Sequence, residues 1–395
     1  MGYNNTLKIH KNPMIKNILP GILILLLATS TCRAAAIHIG VTLGLSGQYA
    51  PMAKMQEQAL RLWETDTNEH GGLLSRKVEL IIYDDQSDKE RARELYRQMI
   101  AKEHMDLLLP PYSSGLTAAI APIAEKYGYP LLTSGASADS IWSQGSHYIF
   151  GIYSPASRYT LGFMEMLLVS GITKAAIISA DDSFSKNVAD GSEKWALRLG
   201  LEVVLHQTLK KESPQLDTVA QRIRNSGAQA LIMCGHFDEA VNMRRALKHI
   251  QWYPRAYYAS VGPVLQAYYD RLGADAESTF SSTQWMYYDK LPFPGSKAFH
   301  DSFVAAYGEE PSYHAAAAYA AGVVLASAVR QAGSLDRERI RDILAHLDII
   351  TLLGRYGVDR TGMQMRHFVL IIQWINGRKE VVWPRELSTA EPRFP

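Results

Sequence analysis

Paired hydroxyl side chains follow two neighbouring predicted strands and could together bind an anion. Ser113 and Ser114 come after the strand Asp106 to Leu109, and Ser137 follows the strand Pro130 to Thr133. Serine is a good N-terminal cap, and the first turn of a helix offers free backbone N–H groups with partial positive charge. Because ligands of open α/β sheets bind outside the carboxyl ends of the strands, the two loops predict one shared carboxylate site.

These side chains also have a purely structural interpretation. Each serine can simply cap its own helix, which is the better interpretation of either loop taken alone. Two such loops at neighbouring strand ends favour a shared anion site. His236 also has two interpretations: it hydrogen-bonds a ligand near the predicted cleft, or it is a surface or capping histidine.

Three motifs with catalytic precedents are weak here. Ser183-Phe-Ser-Lys186 fits the S-x-x-K pattern of serine acyl enzymes, but the SDN and KTG partner motifs are missing and a helix cap is the better interpretation. The acidic pairs Asp84-Asp85 and Asp181-Asp182 fit helix caps or an interface between lobes better than a metal site or an acid–base pair. The histidines show no metal-binding spacing, and no P-loop or G-x-G-x-x-G is present. We therefore expect neither an enzyme nor a bound metal or cofactor.

Residues 1–36 predict a secretory signal peptide. A basic region precedes a short apolar run, Ile18 to Ala28, and small residues ending at Ala36 supply an A-x-A cleavage site. The run is too short for a membrane span, which needs about 20 residues. Cys32 lacks the neighbours typical of a lipid attachment site. We expect cleavage near Ala36 and a periplasmic product, with lipid anchoring at Cys32 the weaker alternative.

Removal of the leader reverses the net charge. The whole chain has 41 Lys and Arg against 39 Asp and Glu, a net charge of +2; the predicted mature part has 37 against 39, a net charge of −2, because the leader holds Lys8, Lys11, Lys16 and Arg33 and no acid. No basic excess remains to neutralise phosphates, so nucleic-acid binding is not expected. Cys234 is then the one remaining cysteine, which predicts a buried thiol and excludes an intramolecular disulfide.

Short β-type runs alternate with helical patterns through most of the mature chain. One strand–helix series runs from Ile37 to Thr133, and a second runs from Lys174 to Ser260. This alternation predicts an α/β fold with parallel sheets covered by helices, and two series of similar size predict two Rossmann-like lobes. Further along, an Ala-rich helix from Tyr313 to Ala332 is predicted to be buried. Asn376-Gly377 between two apolar runs predicts a β-hairpin.

A set of short motifs follows in a fixed order along nearly the whole mature chain. They are Leu43-Gly-Leu-Ser-Gly47, Gly71-Gly72, Tyr83-Asp84-Asp85, Ser113-Ser114, Thr133 to Ser137, Lys174-Ala-Ala-Ile-Ile178 and Gly377 to Trp383. Each motif is weak alone, but their order and spacing are specific. The chain resembles the leucine/isoleucine/valine-binding proteins, which are type I periplasmic binding proteins of ABC transporters.

The resemblance implies two Rossmann-like lobes that close on a ligand like a flytrap. Three crossings of the chain would join the lobes, near Tyr153, Gln284 and Leu353. The implied domains are 37–152 plus 285–352 for lobe 1, and 153–284 plus 353–395 for lobe 2.

The resemblance also implies a ligand pocket. The family's carboxylate-binding serine matches Ser113, and the hydroxyl that touches both ends of a bound amino acid matches Ser137, where Thr is more usual. The loop that supplies a carbonyl for the ligand ammonium matches Gly135, with Ala136 beside it. The walls of the pocket match three further residues: Pro111, Tyr112 and Phe184.

Three positions depart from the family pattern. The acid that pairs with the ligand ammonium matches Val261, and the segment Tyr258 to Gly262 contains no Asp or Glu. A usual Tyr ahead of a second-lobe helix matches His236. Another usual Tyr matches Met52, although Tyr49 is close and could replace it. A buried ammonium without a carboxylate is costly, so these departures bear directly on the ligand.

Two kinds of ligand remain open. An amino acid, branched-chain or other, would need another acidic partner, for which the candidates are Asp181, Asp182 and Asp238. An aromatic acid, a keto acid or an amide would need none. The sequence thus predicts an extracytoplasmic solute-binding protein that closes on a small carboxylate and delivers it to the membrane permease of an ABC importer. The alternative is a ligand-sensing subunit of a signalling receptor.

Overall fold

The computed structural model describes residues 1–3, 35–210, 215–291 and 293–394. The chain divides into a short unit, Met1–Ala35, and a large unit, Ala36–Pro395, to which all that follows refers. Most of the predicted signal peptide, residues 4–34 with Cys32, lies outside the described residues.

The large unit contains fourteen described strands in four sheets. The strands are β1 (Ile37–Leu43), β2 (Val78–Asp84), β3 (Leu107–Leu108), β4 (Leu131–Thr133), β5 (Ile149–Gly151), β6 (Lys174–Ala180), β7 (Glu202–Leu209), β8 (Ala230–Cys234), β9 (Ala256–Ala259), β10 (Thr279–Thr283), β11 (Ile349–Thr351), β12 (Gly354–Tyr356), β13 (Leu370–Ile375) and β14 (Arg378–Trp383). The sheet orders are β2-β1-β3, β4-β5, β11-β12 and β14-β13-β10-β9-β8-β6-β7.

Helices connect and cover these sheets. They are α1 (Ala50–Glu69), α2 (Lys89–Ala101), α3 (Ser114–Tyr127), α4 (Leu161–Val169), α5 (Ser183–Leu199), α6 (Leu216–Asn225), α7 (Phe237–His249), α8 (Gln266–Leu272), α9 (Ser296–Tyr307), α10 (Tyr313–Ala332) and α11 (Arg337–His346). We call β1–β5, β11 and β12 with α1–α3 and α9–α11 the first lobe. The seven-stranded sheet with α4–α8 is the second lobe.

The predicted α/β fold class is confirmed. Each lobe has parallel strands at its centre, and β6, β8 and β9 pair in parallel. All five residues of β8 are buried, as expected for a strand covered on both faces. Its last residue, Cys234, is the buried free thiol that the sequence predicts. The second sheet also has an antiparallel edge, because β13 pairs antiparallel with β10 and β14.

The predicted C-terminal hairpin is also confirmed. β13 and β14 pair up to Ile375 and Arg378, and Asn376 and Gly377 form the turn with φ of 54° and 75°. Positive φ at both central residues is the requirement of a type I′ turn, which Asn-Gly meets at little cost. The carboxylate of Glu277 accepts both turn N–H groups, at 2.8 and 2.6 Å. The turn is therefore held by backbone chemistry and by one acid from a distant segment.

The chain passes between the lobes in three segments. These segments connect β5 to α4, β10 to α9, and β12 to β13. Ser154, in the first segment, links all three, because its N–H donates to Gln284 Oε1 at 2.7 Å and its hydroxyl donates to the His367 carbonyl at 2.8 Å. The residue boundaries of the two lobes stay a prediction.

The Ala-rich helix α10 is the core helix of the first lobe, as predicted. By length and composition it could cross a membrane, but 72% of its most apolar window is buried inside the protein. It packs closely against α1 at Gly322, where a Cβ atom would lie 2.4 Å from the ring of Trp63. Small side chains on α10 therefore let the two helices approach each other.

We expect Gly322→Val to lower the free energy of unfolding by about 1–3 kcal/mol, because the added methyl groups overlap Trp63. Urea unfolding of the two proteins measures this difference. The control is Gln331→Val at an exposed position of the same helix, which should stay within about 0.5 kcal/mol. Equal stability of the two variants would contradict a tight contact between α1 and α10.

Candidate functional site

A small closed cavity lies between the two lobes, at the carboxyl ends of their parallel strands. Its volume is about 10 Å³, close to the space that one water molecule needs. Ten residues from both lobes and the first crossing segment line it: Tyr112, Ser114, Gly135, Ser137, Tyr153, Tyr159, Phe184, His236, Val261 and Tyr313. A ligand the size of an amino acid can enter only when the lobes separate.

The loops after β3 and β4 form the first-lobe wall. Ser113 caps α3, and its hydroxyl accepts the Leu116 N–H at 3.5 Å. The hydroxyl of Ser114 accepts the N–H groups of both Ser137 and Ala138 at 3.1 Å. Ser114 therefore joins the two predicted anion-binding loops to each other, and its acceptor capacity is used within the protein.

The prediction of a helix N-terminus behind Ser137 is wrong. The loop after β4 continues into a six-residue 3₁₀-helix, Asp139–Gln144, whose N-cap is Ala138 and has no side-chain cap. The Ser137 hydroxyl donates to the Tyr159 hydroxyl at 3.3 Å. A short 3₁₀ turn has a weak dipole, so the second loop adds little positive potential to the site.

Gly135 lies where the β3 and β4 loops come closest. A Cβ atom on it would be 2.8 Å from the Cα of Tyr112 and 3.2 Å from the Gln56 amide nitrogen. Only glycine lets the backbone reach the cavity at this point. Ala136 and Pro111, also predicted as site residues, are not among the residues that line the cavity.

An aromatic cluster centred on His236 forms the other wall. His236 follows β8, and its ring centroid lies 5.2 Å from that of Phe184 and 5.1 Å from that of Tyr49 in the first lobe. Tyr49 in turn contacts Tyr112 with centroids 5.5 Å apart. The cluster crosses the cleft, so it can assemble only when the lobes are together. Tyr49 lies behind this wall, outside the cavity lining.

The imidazole of His236 has one charged partner. Its Nε2 lies 3.6 Å from Oδ1 of Asp182, beyond hydrogen-bond range. Burial lowers the pKa of His236, but the attraction of Asp182 outweighs burial, and the net shift is upward. Burial raises the pKa of Asp182, but the nearby imidazole and the hydrogen bonds from Ser185 outweigh burial, and the net shift of the Asp182 pKa is downward. The cleft therefore holds a buried histidine that favours the protonated form.

Asp182 is fixed by the helix that follows it. Its carboxylate accepts the N–H of Ser185 at 3.0 Å and the Ser185 hydroxyl at 2.6 Å, capping α5. Both ring nitrogens of His236 lack a hydrogen-bond partner among the residues that the structure describes. Unpaired buried donors are costly, which makes His236 available to an anionic ligand atom.

Four aromatic residues of the site escaped the sequence analysis as ligand-contact candidates. Tyr153, Tyr159 and Tyr313 line the cavity, and the Tyr153 hydroxyl has no hydrogen-bond partner within the described part of the chain. His314 lies behind the wall, with Nε2 3.4 Å from the Tyr112 hydroxyl, and burial lowers its pKa to about 3. The resemblance marked Tyr153 as a crossing point, but no local motif signals the other three.

The described lining contains no Asp or Glu. Val261 occupies the position where the resemblance implies an acid, and it is buried. Of the other acidic candidates, Asp238 is exposed, Asp181 pairs with Lys186, and Asp182 pairs with His236. The structure thus brings together Ser137, Gly135, Tyr112, Phe184, His236 and Val261 around one cavity; their role in ligand binding stays a prediction.

The pH dependence of stability tests the charge state of His236. Since its folded-state pKa is raised, the Asp182 attraction stabilises the fold fully below about pH 6.5 and is lost as the pH rises through the folded-state pKa. The stability difference between wild type and His236→Gln should therefore shrink above about pH 6.5, by at most about 1.4 kcal/mol per pH unit. Urea unfolding at several pH values measures it; a difference that grows with pH would contradict this charge state.

Comparisons with known proteins agree with this architecture. The family model described as "Periplasmic binding protein" matches residues 36–379. The Leu/Ile/Val-binding protein homolog 7 of Brucella suis is 24% identical over 388 residues, which cover 94% of this chain and 97% of the relative. The match to the family model covers most of the chain and therefore shows its family.

Solved structures show the fold. The branched-chain amino acid transporter substrate binding protein LivJ of Streptococcus pneumoniae, in complex with isoleucine, superposes with a TM-score of 0.79 at 22% identity, over 88% of this chain and all of that chain. An ABC transporter solute binding protein of R. palustris, in complex with benzoate, gives 0.77 at 19% identity, over 91% and 99%. This chain belongs to the periplasmic binding protein family, whose model matches residues 36–379.

Proposed function

We propose that this chain is the extracytoplasmic receptor of an ABC importer and that it traps a small carboxylate lacking an ammonium group. The observation that carries the proposal is the cavity between the lobes, where the unpartnered imidazole of His236 faces a lining without any described Asp or Glu. Asp182, the acid that pairs with His236, lies outside the lining, so a ligand ammonium would find no carboxylate there and an anion is favoured over a zwitterion.

Two hydrogen-bonding groups of the lining are available to the ligand. The Tyr153 hydroxyl and the His236 ring have no described hydrogen-bond partner. In contrast, the Ser137 hydroxyl donates to Tyr159, and the Ser114 oxygen accepts two backbone N–H groups. A carboxylate accepts hydrogen bonds from both kinds of donor, and charge-assisted bonds are the stronger ones. We therefore expect the acid group to bind between Tyr153 and His236.

The remaining walls suit a flat or apolar body. Tyr112, Tyr159, Tyr313 and Phe184 present aromatic rings to the cavity, and Val261 adds an aliphatic surface. An ammonium group placed there would lose its hydration without gaining a carboxylate partner, which is costly. Asp182 could supply one only by giving up its attraction to His236.

The two solved complexes mark the two candidate ligand classes. Isoleucine and benzoate are both small carboxylates, and only isoleucine carries an ammonium group. The names of the curated relatives favour a branched-chain amino acid, which is the second candidate. The lining favours the benzoate-like class, because it offers a cation and aromatic rings but no acid.

Closure of the lobes around the ligand supplies the signal to the permease. The N–H of Ser140 in the first lobe donates to the Asn187 side chain of α5 in the second lobe at 3.1 Å. Together with the Tyr49–His236 contact, this bond exists only when the lobes meet. A ligand that binds the closed arrangement better shifts the protein towards it, and the permease distinguishes the two surfaces.

A thermal-shift panel tests the proposal. The mature protein from Ile37 onward is unfolded and refolded to remove bound ligand, then heated with aromatic carboxylates, aliphatic carboxylates, keto acids, amides and amino acids. Ligands that bind only the folded state raise the melting temperature. We expect carboxylates without an ammonium to give the largest shifts; stabilisation by neutral amides alone would contradict an acid ligand.

Substitution of Val261 tests the charge of the lining. We expect Val261→Glu to weaken binding of the best carboxylate by about tenfold or more, since a second negative charge then faces the ligand's acid. Val261→Gln is the matched control of equal size without charge, and it should retain most of the affinity that Glu removes. Calorimetric titration measures both, and tighter carboxylate binding by the Glu variant would contradict the proposal.

A further inference from the structure

A second cavity, which we call the hinge cavity, lies against the crossing segments and shares no lining residue with the cleft. Its volume is about 510 Å³, within the range of small-molecule sites. The lining residues are Ser154, Arg158, Leu161, Gly162, Glu165, His367, Phe368, Val369, Trp383, Pro384 and Leu387. They come from the first and third crossing segments, from α4 and from the end of β14.

The walls of the hinge cavity are largely apolar and open to solvent. Phe368 is 42% exposed, a high value for a large apolar side chain. Trp383 presents its indole beside Leu161 and Leu387, and its N–H donates to Oε2 of Glu165 at 3.1 Å. An apolar surface of this kind at the edge of a core favours contact with an apolar ring or chain.

Among the described residues, the hinge cavity is lined by one carboxylate, Glu165, which accepts the Trp383 indole N–H, and by one guanidinium, Arg158, which is left for an anion. No carboxylate lies within 4.0 Å of the Arg158 guanidinium among the described residues, including Asp139 and Asp190, which share a neighbouring cavity with it. Its nearest described polar contact is the sulfur of Met365, at 4.0 Å. Burial lowers the pKa of His367 to about 4, so this ring is neutral at pH 7. Arg158 is therefore the cavity's positive charge.

A chain of hydrogen bonds leads from the hinge cavity to the cleft. Ser154 donates its N–H to Gln284 Oε1 at 2.7 Å, and the Gln284 amide donates to the Tyr159 hydroxyl at 2.7 Å. Ser154 lines the hinge cavity, and Tyr159 lines the cavity between the lobes. One side chain, Gln284, thus connects the two sites through the hinge itself.

We propose that the hinge cavity binds a small amphipathic anion, an apolar ring or chain carrying one carboxylate or sulfonate, and that its occupancy favours closure of the lobes. Arg158 pairs with the acid group, while Leu161, Phe368 and Trp383 cover the apolar body. The binding step is independent of the function proposed above. Its consequence for transport rests on that function, because both sites then act on one closing motion.

The fluorescent anion 8-anilinonaphthalene-1-sulfonate serves as the probe, because it combines aromatic rings with one sulfonate. We expect saturable binding to the folded protein and energy transfer from tryptophan, which Trp383→Phe reduces more than Trp252→Phe does. Arg158→Gln should weaken binding by about tenfold, through loss of a charge-assisted bond. Leu161→Trp places a larger ring in the apolar wall and should weaken binding further.

Matched variants separate this site from other surfaces. Arg222→Gln makes the same charge change at an exposed position of α6 and should leave the affinity unchanged. Val261→Glu alters the cleft alone and should also leave it unchanged. Equal urea midpoints for Arg158→Gln and Arg222→Gln exclude misfolding. Binding that survives Arg158→Gln and Leu161→Trp unchanged would overturn the hinge site.

Small-angle X-ray scattering of the wild type and of Val261→Glu, whose cleft should bind aromatic anions weakly, tests the effect on closure. We expect a smaller radius of gyration for both proteins when the sulfonate probe saturates them, and less contraction in Leu161→Trp at the same probe concentration. An unchanged radius in the wild type or in Val261→Glu would overturn the coupling. Because no transported ligand takes part, failure here and failure of the proposed function give different results.

Discussion

The burial of His236 beside Asp182 is the interaction on which the binding site depends. A buried imidazole with no hydrogen-bond partner is tolerable only because a carboxylate fixed by its own helix cap lies 3.6 Å away. The same burial holds the ring between Phe184 and Tyr49, so the charge is presented inside an aromatic cluster that crosses the cleft. The selectivity for an anion that we propose rests on the absence of an acid in the described lining.

The serine hydroxyls have a different role from the one that the sequence suggests. The Ser114 hydroxyl oxygen accepts hydrogen bonds from two backbone N–H groups, and the Ser137 hydroxyl donates to Tyr159. Both serines therefore hold the first-lobe loops in place. Ser113 caps α3 and does not line the cavity. The side chains of the lining without a described hydrogen-bond partner are Tyr153 and His236, to which we assign the ligand's acid group as a proposal. Ser113 therefore fits the structural interpretation of a helix cap, whereas Ser114 and Ser137 line the cavity and also bond within the protein.

Sequence patterns predicted the elements whose conformation depends on residues close together in the chain. The apolar run of β8, the Asn376-Gly377 turn and the small side chains of α10 each carry their own signal, and each matches the structure. The sequence also indicated Tyr112, Phe184 and His236, which all line the cavity, because the family resemblance covers most of the chain. It failed at Ser137, since a strand followed by Ser-Ala-Asp does not reveal whether an α-helix or a short 3₁₀ turn follows.

The tyrosines of the site could not be found in this way. Tyr153, Tyr159 and Tyr313 meet only because the chain crosses between lobes, and each lies in a stretch with no motif of its own. The acid nearest the cleft could likewise not be chosen, because Asp181, Asp182 and Asp238 are equal candidates in sequence for pairing with a ligand ammonium. Only the cap geometry of α5 turns Asp182 towards the cleft, while Lys186 engages Asp181.

Ligands that differ only by an ammonium group test the central claim most directly. Calorimetric titration of the refolded protein compares 4-methylpentanoate with leucine and 3-phenylpropanoate with phenylalanine, since each acid lacks only the amino group of its partner. The account predicts that at least one acid binds about tenfold or more tightly than its amino acid, a difference of about 1.4 kcal/mol. Tighter binding of the amino acid in both pairs would contradict it and would assign a carboxylate partner for the ammonium within this cleft.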